Sequence, residues 1–280
     1  MAVFLNNSFL DDEQALLHVS DLVIQRGYAA FDFCRTVNGV PLFMQDHLER
    51  FYASAAAMHL ALAHTKEELT AIVHELVQIS SLREAGIRLM LTGGYSTDSY
   101  HLAEPNLVIT CNPVKTVSAA EMTRGVSIIT YEHQRELPHI KSTNYLMAVW
   151  LLPLLQQQAA DDVLYYNKES VTEFPRSNVF VITNDGTLVT PAHNILKGIT
   201  RKKILLLANE IMQVDERNIT VHELASAKEI FLTSTTKKIL PVVKLNGATI
   251  GDGKPGPATL SLYEKFVALE QIFYPQINAD

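Results

Sequence analysis

The spacing of apolar residues along this chain changes several times, and each change marks an element. Phe31-Asp32-Phe33-Cys34-Arg35-Thr36-Val37 has the aromatic and β-branched content of a strand. Asn38-Gly39 follows, a dipeptide suited to the left-handed positions of a tight hairpin, and Val40-Pro41-Leu42-Phe43 is the return. Asp46-His47-Leu48-Glu49 predicts a helix start, with Asp46 as cap and Glu49 completing a capping box. Leu48, Phe51, Tyr52 and Ala55 then share one face at helical period. Thr65 to Leu82 predicts a second helix, capped by Thr65. Ile87 to Thr92 and Leu107 to Cys111 predict strands, with Gly93-Gly94-Tyr95-Ser96 as a loop. Further helices are predicted from Thr143 to about Ala160, Ile199 to Met212 and Ala258 to about Ile272, and hairpins at Asn184-Asp185-Gly186 and Asn246-Gly247.

Strands and helices follow one another without a regular βαβ beat, and no internal repeat is visible. That predicts an α+β chain of two domains, 1–115 and 116–280, with antiparallel pairing in much of the second. Asn112 to Glu121 (NPVKTVSAAE), polar and holding Pro113, is the linker candidate. The length of 280 residues suits one large or two medium domains. With 48% hydrophobic and 19% charged residues, the chain can build a core and is not a disordered, collagen-like or coiled-coil sequence.

A net charge of −7 argues against nucleic acid as a partner and against a polybasic membrane anchor. Cys34 and Cys111 are too few for a disulfide framework or a cysteine zinc site and read as buried apolar fillers. The start MAVFLNNSFLDDEQ lacks the basic and apolar regions of a signal peptide. The longest apolar run, Leu146 to Leu155, contains Pro153 and falls short of the ~20 residues that span a bilayer. The expectation is a cytoplasmic protein with no membrane or nucleic-acid partner.

No dinucleotide fingerprint or phosphate loop occurs. Gly251-Asp252-Gly253-Lys254-Pro255-Gly256 is not one, because Pro257 is expected to break any helix starting there. His74-Glu75 is followed by Gln78, and His222-Glu223 by Ser226, so neither makes a zinc-binding HExxH. The ten histidines show no metal-ligand spacing, and no metal is expected.

The residues that carry chemistry come as an ordered set. His47-Leu48-Glu49-Arg50-Phe51-Tyr52-Ala53-Ser54-Ala55 lies on the first long helix, and His139-Ile140-Lys141-Ser142-Thr143-Asn144-Tyr145 precedes an apolar helix. Val171-Thr172-Glu173-Phe174-Pro175-Arg176-Ser177-Asn178-Val179-Phe180 comes next, then Lys197-Gly198-Ile199-Thr200-Arg201 opening a helix, then Thr233-Ser234-Thr235-Thr236 after an apolar strand. Each alone has an ordinary reading: a solvated lysine at a strand-to-helix junction, a surface glutamate after a turn, an arginine on a solvated face, a core tyrosine. In this order, and over about Leu22 to Val242, they resemble the fold-type IV, class IV pyridoxal-phosphate enzymes. That family includes D-amino-acid aminotransferases, branched-chain L-amino-acid aminotransferases, aminodeoxychorismate lyases and (R)-amine transaminases.

Pyridoxal 5'-phosphate needs an amine for its aldehyde, an anion for its ring nitrogen and an anion site for its phosphate. The resemblance implies Lys141 as the amine, which also moves a proton at the substrate Cα; a lowered pKa would suit it to that work. It implies Glu173 at the ring nitrogen and Tyr145 at the phenolic oxygen. Arg50, Ile199, Thr200 and Thr235 would hold the phosphate: Gly198 turns the backbone, and Ile199 and Thr200 present amides at a helix start. It further implies a fold of a smaller N-terminal α/β domain and a larger C-terminal domain with a mixed, barrel-like sheet, assembled as a homodimer.

The substrates implied are amino acids and 2-oxo acids, whose carboxylates call for arginine. Typical D-amino-acid aminotransferases carry an Arg-x-His pair after the strand ending here at Thr92, where this chain has Asp98-Ser99-Tyr100, and a tyrosine where Phe31 stands. Arg88, on the strand face opposite Ile87, Leu89 and Leu91, and Arg26, before Gly27-Tyr28, are the replacement candidates, with Thr236 beside the substrate. Thr233-Ser234-Thr235-Thr236 and Ser177-Asn178-Val179-Phe180 favour the D-amino-acid branch with 2-oxoglutarate as acceptor. Branched-chain L-amino-acid transamination and aminodeoxychorismate lyase activity are the alternatives, and a relative that has lost catalysis is the non-enzymatic one.

Overall fold

The computed structural model describes residues 2–272 of the chain; 273–280, the end of the expected second domain, lie outside the described residues. Two compact units emerge. One comprises the N-terminal segment up to Lys115 together with Ile140–Asn144, and the other Thr116–His139 with Tyr145–Gln271. The short segment holding Lys141 thus packs with the first unit, although it lies beyond residue 115.

The first unit contains β1 (Ala2–Leu5), β2 (Ser8–Asp11), α1 (Leu22–Arg26), β3 (Ala29–Val37), β4 (Val40–Pro41), α2 (Met44–Ala57), α3 (Lys66–Ser80), β5 (Ala85–Thr92) and β6 (Leu107–Pro113). Its sheet runs β2-β1-β6-β5-β3-β4 with every pair antiparallel. Alternation along the central strands sends Ala30, Cys34, Ile87, Leu89, Ile109 and Cys111 to a core shared with Leu48 and Phe51 of α2 and Leu69, Val73 and Leu76 of α3. The same alternation places Phe31, Phe33, Arg88 and Met90 on the opposite face.

The second unit contains α4 (Ala119–Arg124), β7 (Val126–Glu132), α5 (Leu146–Trp150), α6 (Leu152–Gln157), β8 (Asp162–Asn167), β9 (Ser170–Val171), β10 (Glu173–Phe174), β11 (Ser177–Ile182), β12 (Leu188–Thr190), α7 (Ile199–Ala208), β13 (Val214–Glu216), α8 (Val221–Ala225), β14 (Glu229–Ser234), β15 (Lys238–Leu245), β16 (Ala248–Thr249) and α9 (Pro257–Ile272). Its sheet runs β13-β12-β11-β14-β15-β7-β8-β9, with β10 on β11 and β16 on β15. Pairing is parallel at β12–β13, β15–β7 and β7–β8 and antiparallel elsewhere, and the sheet curls into a half-barrel.

Several boundaries differ from expectation for identifiable reasons. α2 begins at Met44 after Phe43 in a left-handed conformation (φ 51), without a side-chain cap, so Asp46 lies inside the first turn and no capping box forms. Burial of Leu42, Phe43 and Met44 starts the helix ahead of the polar signal. Thr65 does cap α3, in a complete capping box with Glu68. The linker stretch is irregular over 114–118, where the two units divide, and is flanked by β6, which runs to Pro113, and by α4, which Ser118 caps in a capping box with Glu121. The helix expected from Thr143 to Ala160 is two helices, α5 and α6. A continuous helix would drive the Pro153 ring against the carbonyl of Val149, so the chain restarts with the proline in a first turn. Pro257 begins α9 rather than preventing it, because Glu229 on β14 accepts from Ala258 N at 3.1 Å and Thr259 N at 2.8 Å, capping the helix from a distant strand.

Candidate active site

Lys141 is held through its backbone. Phe31 N donates to Lys141 O at 2.9 Å, and Lys141 N donates to Ser54 Oγ of α2 at 3.2 Å. Thr143 N donates to Ala29 O at 3.0 Å, so the segment lies along the start of β3. The Lys141 Nζ stands 4.5 Å from the centre of the Phe31 ring. Arg88, exposed on β5, places its guanidinium carbon 5.1 Å from the centre of that same ring. The structure therefore brings Lys141 and Arg88 onto one aromatic side chain. Arg26, exposed at the end of α1, donates from Nη1 to Gln25 O at 2.8 Å, and the next residue, Gly27, accepts from Thr143 Oγ1 at 2.7 Å.

Arg50 is not on a solvated face. Its Nε donates to Asp32 Oδ2 at 2.8 Å and its Nη2 to Asp32 Oδ1 at 2.8 Å, a bidentate pair with a fully buried carboxylate. Asp32 points to the core side of β3, between Ala30 and Cys34. Its Oδ1 also accepts from Phe33 N at 2.7 Å and lies 2.7 Å from His47 Nδ1. An ionised carboxylate only accepts, so His47 carries its proton on Nδ1 and donates. The 3.4 Å approach of Arg50 Nη2 to that same nitrogen is then a contact between two donors rather than a hydrogen bond. Burial pushes Asp32 up, but the adjoining Arg50 charge and the donors from Arg50 and His47 outweigh it and hold the carboxyl far below the ordinary range. Burial also holds the His47 imidazole below its ordinary value, against the pull of Asp32.

The loop after β5 is knitted by Asp98, which accepts from Ser96 Oγ at 3.0 Å, Tyr100 N at 3.0 Å and His101 N at 2.9 Å. These bonds, led by the His101 amide, keep its carboxyl below the usual range, and the loop holds no arginine.

In the second unit Glu173 is buried on β10, not exposed after a turn. Its Oε1 accepts from Arg135 Nη1 at 2.7 Å and its Oε2 from Leu196 N at 3.0 Å. Tyr145, half-buried, immediately precedes α5. Burial, with the Asp162 charge adding to it, pushes the Tyr165 phenol up to about 12. The stretch Gly198-Ile199-Thr200 opens α7 with no side-chain cap, and Lys202 N donates to Gly198 O at 2.9 Å. That leaves the amides of the first turn directed out of the helix start. Gly198 has an ordinary φ of −67, so a tight left-handed turn is not why glycine stands there. A Cβ at that position would lie 2.2 Å from Asn178 Oδ1, so any larger residue would push the Asn178 amide aside. Thr235 and Thr236 occupy the turn joining β14 and β15, half-buried.

Asp32 and Arg135, partners of the expected groups, lie outside the motifs, while His47, Asn178 and Thr233 lie inside them without an assigned role. Asn178 stands opposite Glu173 on one side and opposite Thr233 on the other, so the three side chains lie abreast on one face of the sheet. Thr233 Oγ1 is buried without a hydrogen-bond partner. A charged residue in the middle of the apolar run Ala29–Val37 was the available signal for Asp32.

With this geometry in hand, likeness to known proteins has a clear meaning. The family profile described as Amino-transferase class IV matches residues 29–245. The chain is 34% identical over 278 residues to the D-alanine aminotransferase of Listeria monocytogenes serotype 4b, covering 95% of each. It is 31% identical over 275 residues to a putative branched-chain-amino-acid aminotransferase of Methanocaldococcus jannaschii, again covering 95% of each. Among solved structures, the Escherichia coli branched-chain amino acid aminotransferase superposes with a TM-score of 0.90 at 21% identity, over 99% of this chain and 97% of that one. A hypothetical aminotransferase from Mycobacterium tuberculosis in its PLP-bound form does so at 0.84 and 24% identity, over 96% and 99%. The chain belongs to the class IV aminotransferases, with the fold-type IV architecture.

Class IV aminotransferases use pyridoxal 5'-phosphate, and the residues here fit that group. The second unit offers a buried carboxylate, a partnerless buried hydroxyl abreast of it and a helix start without a side-chain cap. Among the described residues no group of three or more histidine, cysteine, aspartate or glutamate side chains is arranged to hold a metal, and no helix is long and apolar enough to cross a membrane.

Proposed function

We propose that this aminotransferase moves an amino group from a D-amino acid to 2-oxoglutarate, with Arg88 binding the substrate carboxylate beside Lys141. The observation that carries the reading is the Phe31 ring shared by the two cations, at 4.5 Å and 5.1 Å. An amino acid in reaction presents a carboxylate one bond from the Cα that loses its proton. An amine beside a guanidinium is the pair that such a substrate needs. Arg26, exposed at the end of α1, is the candidate for the second carboxylate of 2-oxoglutarate.

Bound pyridoxal phosphate supplies the electron-withdrawing ring that makes the Cα proton acidic. Lys141 Nζ would take that proton from the substrate Cα. Glu173, buried and bonded to Arg135 and Leu196 N, would meet the ring nitrogen with a negative charge. Tyr145 would donate to the phenolic oxygen. Arg50, the amides of Ile199 and Thr200 and the Thr235 hydroxyl would hold the phosphate, and Thr236 would serve the substrate. Asp32 holds the Arg50 guanidinium through two hydrogen bonds.

The D-alanine aminotransferases at 32–34% identity favour the D-amino-acid reading. The Methanocaldococcus relative favours the second, transamination of branched-chain L-amino acids. A donor panel with both enantiomers of alanine, glutamate and leucine, and 2-oxoglutarate as acceptor, separates them. The expected result is turnover of D-alanine or D-glutamate; turnover of L-leucine alone selects the second reading. Arg88→Ala should raise KM for donor and acceptor while the bound cofactor stays yellow, and unchanged kinetics would remove Arg88 from the site.

The homodimer belongs to the same proposal. Leu146, Val149, Trp150 and Leu152 lie within one short stretch and are each more than half exposed, an apolar surface suited to a second copy of the chain. Sedimentation should show a dimer, and Trp150→Asp should shift it toward monomer.

A further inference from the structure

We infer that Asn178 is a positioning residue that locks the ring-nitrogen carboxylate and the phosphate-binding turn into one rigid piece. The inference rests on the pyridoxal-phosphate reading of Glu173 and α7. Its basis is a single peptide unit gripped from both sides. Leu196 N donates to Glu173 Oε2 at 3.0 Å, while Leu196 O accepts from Asn178 Nδ2 at 2.7 Å. Glu173 and Asn178 are themselves cross-strand partners on β10 and β11. The backbone of Leu196 therefore bridges two neighbours on one sheet face.

Two residues further on stands Gly198, the N-cap of α7, packed so closely on Asn178 that a Cβ would lie 2.2 Å from Oδ1. The Asn178 amide is thus used at both ends, its nitrogen on Leu196 and its oxygen on Gly198. No hydroxyl or aliphatic side chain offers a donor and a close-packing acceptor on one planar group of this size. On its other side Asn178 pairs with Thr233, whose buried hydroxyl has no partner. Asn178 thereby stands among three groups: the carboxylate, the start of α7 and the end of β14 that leads to Thr235.

A rigid ligand whose ring nitrogen and phosphate sit at opposite ends is bound well only if its two receptors keep a fixed separation. A displacement at Gly198 should then be felt at Glu173, through Leu196. An ordinary phosphate turn would not behave so. Gly198→Ala would weaken phosphate binding and leave the ring nitrogen as it was.

The test uses the full-length protein freed of cofactor and reloaded with pyridoxal phosphate labelled with nitrogen-15 in the ring. Two quantities are read: the cofactor Kd and the ring-nitrogen chemical shift as a function of pH. Asn178→Asp removes the donor to Leu196 O while keeping size and shape. Gly198→Ala displaces the Asn178 amide from the other side. Both should raise Kd by about tenfold or more, the scale of one buried hydrogen bond left unmade. Both should also move the ring-nitrogen shift in the direction that Glu173→Gln moves it. Asn178→Asp putting a second carboxylate near Glu173 is controlled by Gly198→Ala, which changes no charge. Should both variants bind with weakened affinity but a wild-type ring-nitrogen profile, the lock is refuted and the turn is a phosphate site alone. If Asn178→Asp fails to fold, Gly198→Ala carries the test; if Gly198→Ala fails, the uncharged Asn178→Ala takes its place, and a wild-type profile in the remaining uncharged variant overturns the inference. If the wild-type protein takes up no pyridoxal phosphate, the underlying reading fails instead, which this design separates from failure of the lock.

Discussion

The two units each contain an arginine–carboxylate pair, and the pairs are built in opposite senses. In the first, Asp32 is wholly buried and saturated by Arg50, His47 and Phe33 N, and the arginine is the member expected to meet the cofactor. In the second, Glu173 accepts one bond from Arg135 and one from Leu196 N and is the member expected to meet the cofactor. One pair uses a carboxylate to aim a cation, the other a cation to aim a carboxylate. The lesson is that a charged group needed at a site is held in place by an opposite charge from another element, 18 residues away for Asp32 and 38 for Arg135.

The comparison can be broken experimentally. The largest effect is expected from Asp32→Asn, which leaves Arg50 without a charged partner and should cost about 3–5 kcal/mol in denaturant unfolding. Arg135→Met should cost less, about 1–3 kcal/mol, because Glu173 keeps Leu196 N, yet it should lower kcat by moving the carboxylate. Equal stability losses with equal kinetics would show that the two pairs do the same job.

Acid sharpens the contrast. Asp32 and His47 both have folded-state values below their unfolded ones, so the unfolded chain binds more protons and stability falls with falling pH. The His47 contribution is complete above its ordinary value of 6.5 and drains away below it, while that of Asp32 is complete above 3.8 and drains away below that. Unfolding midpoints should therefore drop in two stages on acidification, and His47→Gln should remove the first. The smallest effect is expected from Thr65→Ala. It deletes the capping box of α3 at a cost of about 1 kcal/mol and should leave both pairs and the kinetics unmoved.

What could be read in the residues was mostly local. Asn38-Gly39 and Asn246-Gly247 turn where their left-handed preference places them, and Thr65 caps α3 through a residue three positions away. Lys141, Glu173 and Gly198 were legible because their order along the chain matches a family. What escaped depends on residues far apart. Nothing near Pro257 reveals that Glu229 will cap the helix it begins, and nothing near Arg50 reveals Asp32. The start of α2 escaped for another reason: burial of Leu42, Phe43 and Met44 outweighed the polar signal at Asp46. At Gly198 the motif is local but its cause is distant: the backbone angle is open to any residue, and it is Asn178 that crowds the position.

The central claim is that one amine, at Lys141, carries the vitamin B6 aldehyde. Treating the cofactor-loaded protein with borohydride and sequencing the labelled peptide measures this directly. The account predicts label on the peptide containing Ile140-Lys141-Ser142 and none on Lys141→Ala; label on any other lysine, or no label on the wild-type protein, would contradict it.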